Sequence, residues 1–261
     1  MADALPELKA ILSDRPLIGT FLKIPRREIV DTMAMAGFDF VICDMEHGQV
    51  SEREACDVIL AGAVAGLHVV VRTDSSDPGL INRLLEWGAA GVQIPHIASV
   101  SDATAAFDAT RYPPDGKRSA SLAQPSAAYG TRPVPETLAA GNRAATAIGQ
   151  LESATYQDPL SSIIDKLDVA FIGTFDLSIH AGHPGDVSHQ KVIEIVSSIE
   201  SAAAETSTPL GMYVASVEAC ADALDAGYRY VACSSDLALL SRSVRETAGQ
   251  LDEARSKGRA S

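Results

Sequence analysis

Residues 44–47 read Asp-Met-Glu-His and end the apolar run Phe40-Val41-Ile42-Cys43. They put two carboxylates and an imidazole at the close of an interior segment. An imidazole with acids beside it is a candidate general base near neutral pH, because a neighbouring carboxylate can fix its tautomer. Arg72 closes the run His68-Val69-Val70-Val71. A guanidinium at the end of a buried strand requires an anion, and its planar fork suits a carboxylate or an enolate oxygen. A structural pair with Asp44 or Asp74 would meet the same need. Gln150 and Glu152 end a third run, Thr174, Phe175 and Asp176 follow a fourth, and Ser234, Ser235 and Asp236 follow the last. Glu152 and Asp176 fall at corresponding positions of successive runs, which on adjacent parallel strands would set them about 5 Å apart. Carboxylates that close repel unless a cation or a proton lies between them. With no Cys or His partner they suit a hard divalent ion that keeps several waters, Mg²⁺ or Mn²⁺. Taken singly, Glu152 could be a helix-entry acid and Asp176 the N-cap of the Asp-Leu-Ser turn. Glu86, in Leu-Leu-Glu-Trp-Gly, and His96, His180, His183 and His189 are weaker candidates.

Something must hold these residues at one place. Eight short apolar runs are spaced along the chain: 17–23, 40–45, 68–73, 91–95, 146–152, 169–174, 209–214 and 228–234. They are continuous rather than alternating, as strands buried on both faces are. Amphipathic helical patterns lie between them, such as 52–66 and 78–88, several ending in Gly. Eight βα units in 261 residues predict one (β/α)₈ TIM-barrel domain. Such barrels carry their chemistry at the C-terminal ends of the strands, where the polar residues above fall. An open doubly wound sheet would usually have fewer strands, and no glycine-rich phosphate loop follows any run. Segment 111–133, rich in Pro, Gly and Ser, is expected to cover the C-terminal mouth as an active-site loop, and residues 252–261 are expected to form a flexible tail.

Composition narrows the partners. A net charge of −13 disfavours nucleic acid and anionic membrane surfaces, so an anionic substrate would need a local cation. No stretch reaches the roughly 18 apolar residues of a membrane span. The N-terminus shows no signal pattern. The four cysteines lack metal-site spacing and read as reduced thiols of a cytoplasmic protein.

Residues 37–49 (GFDFVICDMEHGQ), 69–78 (VVVRTDSSDP), 84–103 (LLEWGAAGVQIPHIASVSDA), 111–118 (RYPPDGKR), 149–156 (GQLESATY) and 171–186 (FIGTFDLSIHAGHPGD) together resemble the HpcH/HpaI family of metal-dependent class II pyruvate aldolases. The resemblance runs over about 15–240. It implies a TIM barrel, in a homo-oligomer (hexamer or trimer), that cleaves 4-hydroxy-2-keto acids to pyruvate and an aldehyde with a divalent metal (Mg²⁺, Mn²⁺ or Co²⁺). Glu152 and Asp176 match the metal ligands, Arg72 the pyruvate anchor, His47 with nearby Asp44 the catalytic base, and Gln150 the Gln two residues before the metal Glu. Thr174, Phe175 and Ser235 fall in the substrate-binding region. The pattern is altered at Glu86, where the family has an Asp that orients the His. It is altered also at Thr174-Phe175, which replace Pro-Ala where pyruvate meets small residues, in the Ser-Ala-rich stretch after Arg118, and at Cys233-Ser234. An acyl-CoA lyase would want a basic surface that this net charge does not supply. A non-catalytic keto-acid-binding barrel would keep the metal and Arg72 and lack the base.

Overall fold

The computed structural model describes residues 5–258. Eight parallel strands close in chain order into a barrel: β1 (Leu17–Leu22), β2 (Phe40–Asp44), β3 (His68–Arg72), β4 (Gly91–Ile94), β5 (Ala147–Leu151), β6 (Val169–Ile172), β7 (Leu210–Val214) and β8 (Tyr230–Ser235). All eight runs legible in the sequence are strands. Helices α1 (Leu8–Asp14), α2 (Arg27–Met35), α3 (Glu52–Ala65), α4 (Pro78–Trp87), α5 (Val100–Thr110), α6 (Val134–Ala144), α7 (Leu160–Ile164), α8 (Thr174–His180), α9 (Gln190–Ala204), α10 (Val217–Asp225) and α11 (Asp236–Gly258) surround it.

Local chemistry sets the helix ends. Ser51 and Glu54 form a reciprocal capping box at the start of α3, and Asp77 accepts from the N–H groups of Gly79 and Leu80 at the start of α4. Gly66 and Gly88 end these two helices in the left-handed conformation, which costs glycine nothing. Apolar side chains between strands and helices form one core. A second fills the barrel, with Phe40 stacked on Tyr230 at 4.1 Å between ring centroids. A Cβ on Gly19 would stand 2.4 Å from the Phe40 ring, so the barrel is filled by side chains and is no pore. The polar residues are therefore held at the strand ends.

Two segments differ from expectation. Segment 111–133 does not cover the mouth: its 3₁₀ turn, Pro125–Gly130, packs against α4 and α6. The physical reason is topological. The segment follows a helix, and a chain leaving a helix of a βα unit emerges at the N-terminal ends of the strands. Arg118 anchors it by stacking over Tyr112 at 4.3 Å and donating to Asn82 Oδ1 at 2.9 Å. At the other end, residues 252–258 continue α11, exposed over 252–257, and the remainder of the expected tail, 259–261, lies outside the described residues.

Candidate active site at the barrel mouth

The register pairs Asp44 of β2 with Arg72 of β3 and Arg72 with Gln93 of β4. Side chains at one level of adjacent strands face the barrel together, and here they are bonded. Arg72 donates to Asp44 through Nε (2.9 Å) and Nη2 (2.8 Å). Lys23 Nζ lies 3.0 Å from Asp44 Oδ2. The backbone N–H groups of Glu46 and His47 donate to Asp44 Oδ1 at 3.2 and 3.1 Å. Asp44 thus both clamps Arg72 and shapes the turn that carries His47. Burial alone would raise the Asp44 carboxyl, but Arg72, the His47 N–H and Lys23 outweigh it and hold the group down at about 2.

The opposite side of the mouth is neutral and acidic. Gln93 Nε2 donates to Gln150 Oε1 at 2.7 Å, and Gln150 Nε2 donates to Glu152 Oε2. Glu152 Oε1 accepts from the His96 backbone N–H at 2.9 Å and lies 2.8 Å from His96 Nδ1. His96 holds φ at +59°, a conformation rare for a side chain with a Cβ and one that gathers at functional sites. Asp176 is not the strand neighbour of Glu152. Leu151 pairs with Ile172, so Gly173 comes level with Glu152, and Asp176 sits in the first turn of α8. A Cβ on Gly173 would meet Glu152 Oε2 at 2.8 Å. Only a glycine lets the carboxylate lie against the backbone that leads to Asp176. No side chain caps α8, so Asp176 is not spent as an N-cap.

Glu46 lies between the two sides, with Arg72 Nη1 at 3.3 Å from Oε2, His47 Nε2 at 3.8 Å and His96 Nε2 at 3.6 Å from Oε1. Its Oε2 is buried and makes no hydrogen bond, since the Arg72 approach is close in distance but poor in angle. Burial pushes the Glu46 carboxyl up, Arg72, His47 and His96 oppose, and the charge of Glu152 pushes it up further. Oxygen donors, negative charge in excess and an unbonded buried carboxylate oxygen fit a hard divalent ion. Asp176 lines the cavity at the mouth, which the Glu152 carboxylate borders beside Gln150 and Gly173. Among the described residues no group of three or more His, Cys, Asp or Glu side chains is arranged as a metal site.

Phe21, Lys23, His47, Arg72, Gln150, Phe171, Gly173, Thr174, Phe175, Asp176, Tyr213 and Ser235 line the resulting cavity of about 220 Å³. Of the candidates from sequence, Glu86 stands apart. On α4 it accepts from Asn82 Nδ2 at 3.3 Å, in the cluster with Arg118, and within the chain it does not touch His47. Its place on the outer helix layer, away from the strand ends, is the reason. Sequence reasoning passed over Gln93, a polar residue inside an apolar strand; Asp236, noted after the last run, accepts from the N–H groups of Lys23 and Ile24 and fixes the turn after β1.

A closed parallel barrel whose strand ends bring an Arg, a His and several acids around one cavity defines a TIM-barrel enzyme. Comparison with known proteins narrows the class: the HpcH/HpaI aldolase/citrate lyase family model matches residues 17–243, and the chain belongs to that family. It is a carbon–carbon lyase. Similar proteins include the hydroxypyruvate/pyruvate aldolase of Paraburkholderia phytofirmans, 31% identical over 92% of this chain and 94% of that one. The 2-dehydro-3,6-dideoxy-6-sulfogluconate aldolase of Pseudomonas putida is 29% identical over 88% of this chain and 90% of its own length. A crystal structure of an HpcH/HpaI aldolase/citrate lyase family protein from Burkholderia cenocepacia superposes with a TM-score of 0.88 at 30% identity, covering 94% of this chain and 98% of the other.

Proposed function

We propose that the enzyme reversibly cleaves 4-hydroxy-2-keto acids to pyruvate and an aldehyde, with a divalent ion (Mg²⁺, Mn²⁺ or Co²⁺) held by Glu152 and Asp176. The observation that carries this reading is the buried Glu152 carboxylate, 1% exposed, held toward the mouth by Gln150 and His96 across from the Asp44–Arg72 pair. When bound, the ion would supply Lewis-acid polarisation of the keto acid. Arg72, immobilised by Asp44, places a fixed cation where negative charge grows on the keto oxygen as the C3–C4 bond breaks. His47 takes the C4-hydroxyl proton in cleavage and returns it in condensation. Gln150 keeps Glu152 oriented, and Thr174, Phe175 and Ser235 contact substrate.

The test is pyruvate release from racemic 4-hydroxy-2-keto acids. EDTA should abolish it, Mg²⁺ or Mn²⁺ should restore it, and His47→Ala should depress it. The rival chemistry is a Schiff base. Lys23 is the lysine at the mouth, and it is salt-bridged to Asp44. Borohydride with pyruvate should leave the protein unlabelled, and an adduct at Lys23 would overturn the reading. We also infer a homo-oligomer, hexamer or trimer. Leu237, Leu240, Val244 and Leu251 make an exposed apolar stripe on α11 suited to another copy, and light scattering in solution tests it.

A further inference from the structure

The two cations of the cavity share one partner. Arg72 and Lys23 both pair with Asp44, and no other Lys or Arg lines the space. With Arg72 assigned to the keto acid, an aldehyde bearing a carboxylate or sulfonate would have to compete with Asp44 for Lys23, the other cation among the described lining residues. Four of the lining residues, Phe21, Phe171, Phe175 and Tyr213, are aromatic. Phe21 meets Phe171 at 6.4 Å and Tyr213 at 5.9 Å between ring centroids, both edge-on. Phe21 also lies under the Arg72 guanidinium at 4.7 Å, which ties the aromatic wall to the reacting end. Phe175 completes the wall from α8 with 59% of its surface exposed, flanked by Thr174 and Asp176 of the same lining. A large ring left open beside a reaction site offers area that a ligand can cover, and rings gain most from another ring. The volume, about 220 Å³, is below the roughly 300–1,000 Å³ usual for drug-sized ligands, so the occupant is small.

From this geometry we propose that the aldehyde partner is a single-ring aromatic aldehyde, seated against Phe21, Phe175 and Tyr213. The inference rests on the aldolase reading above. In condensation a C3–H bond of pyruvate breaks and its proton goes to a base. The C3 electron pair then forms the bond to the aldehyde carbon, and the aldehyde oxygen takes up a proton. The product is a 4-aryl-4-hydroxy-2-keto acid, and nothing is oxidised or reduced. Cleavage reverses each step.

Three measurements separate the outcomes. Exchange of the pyruvate methyl protons with deuterium, in wild-type enzyme with Mg²⁺ and no aldehyde, reports formation of the enolate. Its absence would sink the aldolase reading itself. The ratio of condensation kcat/KM for benzaldehyde over glycolaldehyde reports the wall, and should exceed one in the wild type. Phe175→Ala should lower that ratio about tenfold, the scale of one lost ring contact, and Phe175→Trp should keep it above one. Phe175→Leu serves in place of the alanine variant should that one not fold. Independently of turnover, saturation-transfer NMR should show benzyl alcohol bound to wild type, with the signal weakened in the Phe175 truncation. Exchange without benzaldehyde preference, or a ratio that ignores residue 175, would refute the aromatic assignment and leave the aldolase reading standing.

Discussion

Asp44→Asn keeps the size of a fully buried side chain and removes its charge. In the wild type two oxygens of Asp44 serve Arg72 twice, Lys23 once and two backbone N–H groups. The amide retains one acceptor and turns an N–H₂ toward donors, so Arg72, 6% exposed, loses its bidentate partner. Removing one partner of a buried ion pair costs about 3–5 kcal/mol, because the other charge stays behind in a poor solvent. Two features hold the expected loss to the low end. Lys23 has 27% of its side chain exposed and can turn to water, and Glu46 lies 3.3 Å from Arg72 Nη1 and can take part of the charge. The expectation is a loss of about 3 kcal/mol in urea unfolding followed by circular dichroism, with an unchanged m-value. Asp31→Asn is the control. Its exposed i,i+4 pair with Arg27, at 3.3 Å, should cost less than about 0.5 kcal/mol. Turnover of Asp44→Asn should fall as well, since Arg72 loses the partner that fixes it. A stability loss below about 1 kcal/mol, no larger than that of a surface pair, would refute the reasoning from burial.

Asp44 also sets an acid limit. Its folded value of about 2 lies below the ordinary 3.8, so the stabilisation is fully present above pH 3.8 and is lost as pH falls through about 2. The difference in urea midpoint between wild type and Asp44→Asn should shrink across that window by an amount equivalent to about 2 kcal/mol, and a difference independent of pH would contradict the assignment. Gly173→Ala drives a methyl to 2.8 Å from Glu152 Oε2. It should cost about 1–3 kcal/mol in thermal or urea unfolding and depress lyase activity, and a neutral outcome would mean the carboxylate has room to move. Burial first, then the charges of Asp44 and Asp236, push the Cys43 thiol up to about 12, so dithionitrobenzoate should leave Cys43 unlabelled in the native protein and modify it only on unfolding. Mass spectrometry should find early label at Cys233, the partly exposed cysteine.

The barrel was legible because its strands are buried on both faces and read as unbroken apolar runs, and because helices such as α3 and α4 end at glycines that adopt positive φ. Shorter helices escaped notice: α7 and α8 have too few turns for a 3.6-residue period to show. At the mouth, the polar strand-end residues Asp44, His47, Arg72 and Gln150 do come together, since a polar group at the end of a buried strand needs a partner. Spacing failed for Asp176, because sequence cannot reveal that Gly173 occupies the level opposite Glu152. It failed for segment 111–133 through the end of the barrel to which a post-helix connection returns. His96 was undervalued because its role depends on a left-handed backbone that nothing in its neighbours announces.

The division of charge across the mouth explains why one chain of net charge −13 could accept an anionic keto acid. On the side of β1 to β3, Asp44 is enclosed by Arg72 and Lys23. On the side of β5 and β6, Glu152 has an amide, a backbone N–H and His96 for partners, and Asp176 stands at the start of α8. Glu46, between them, feels both: Arg72 draws its proton off while burial and Glu152 hold it on. A carboxylate approaching this arrangement is attracted by one wall and repelled by the other. A doubly charged ion between Glu152 and Asp176 would reverse the second term without disturbing the first. On the proposed reading, then, the two acids serve binding as much as chemistry, because the keto acid can enter only where they have been neutralised.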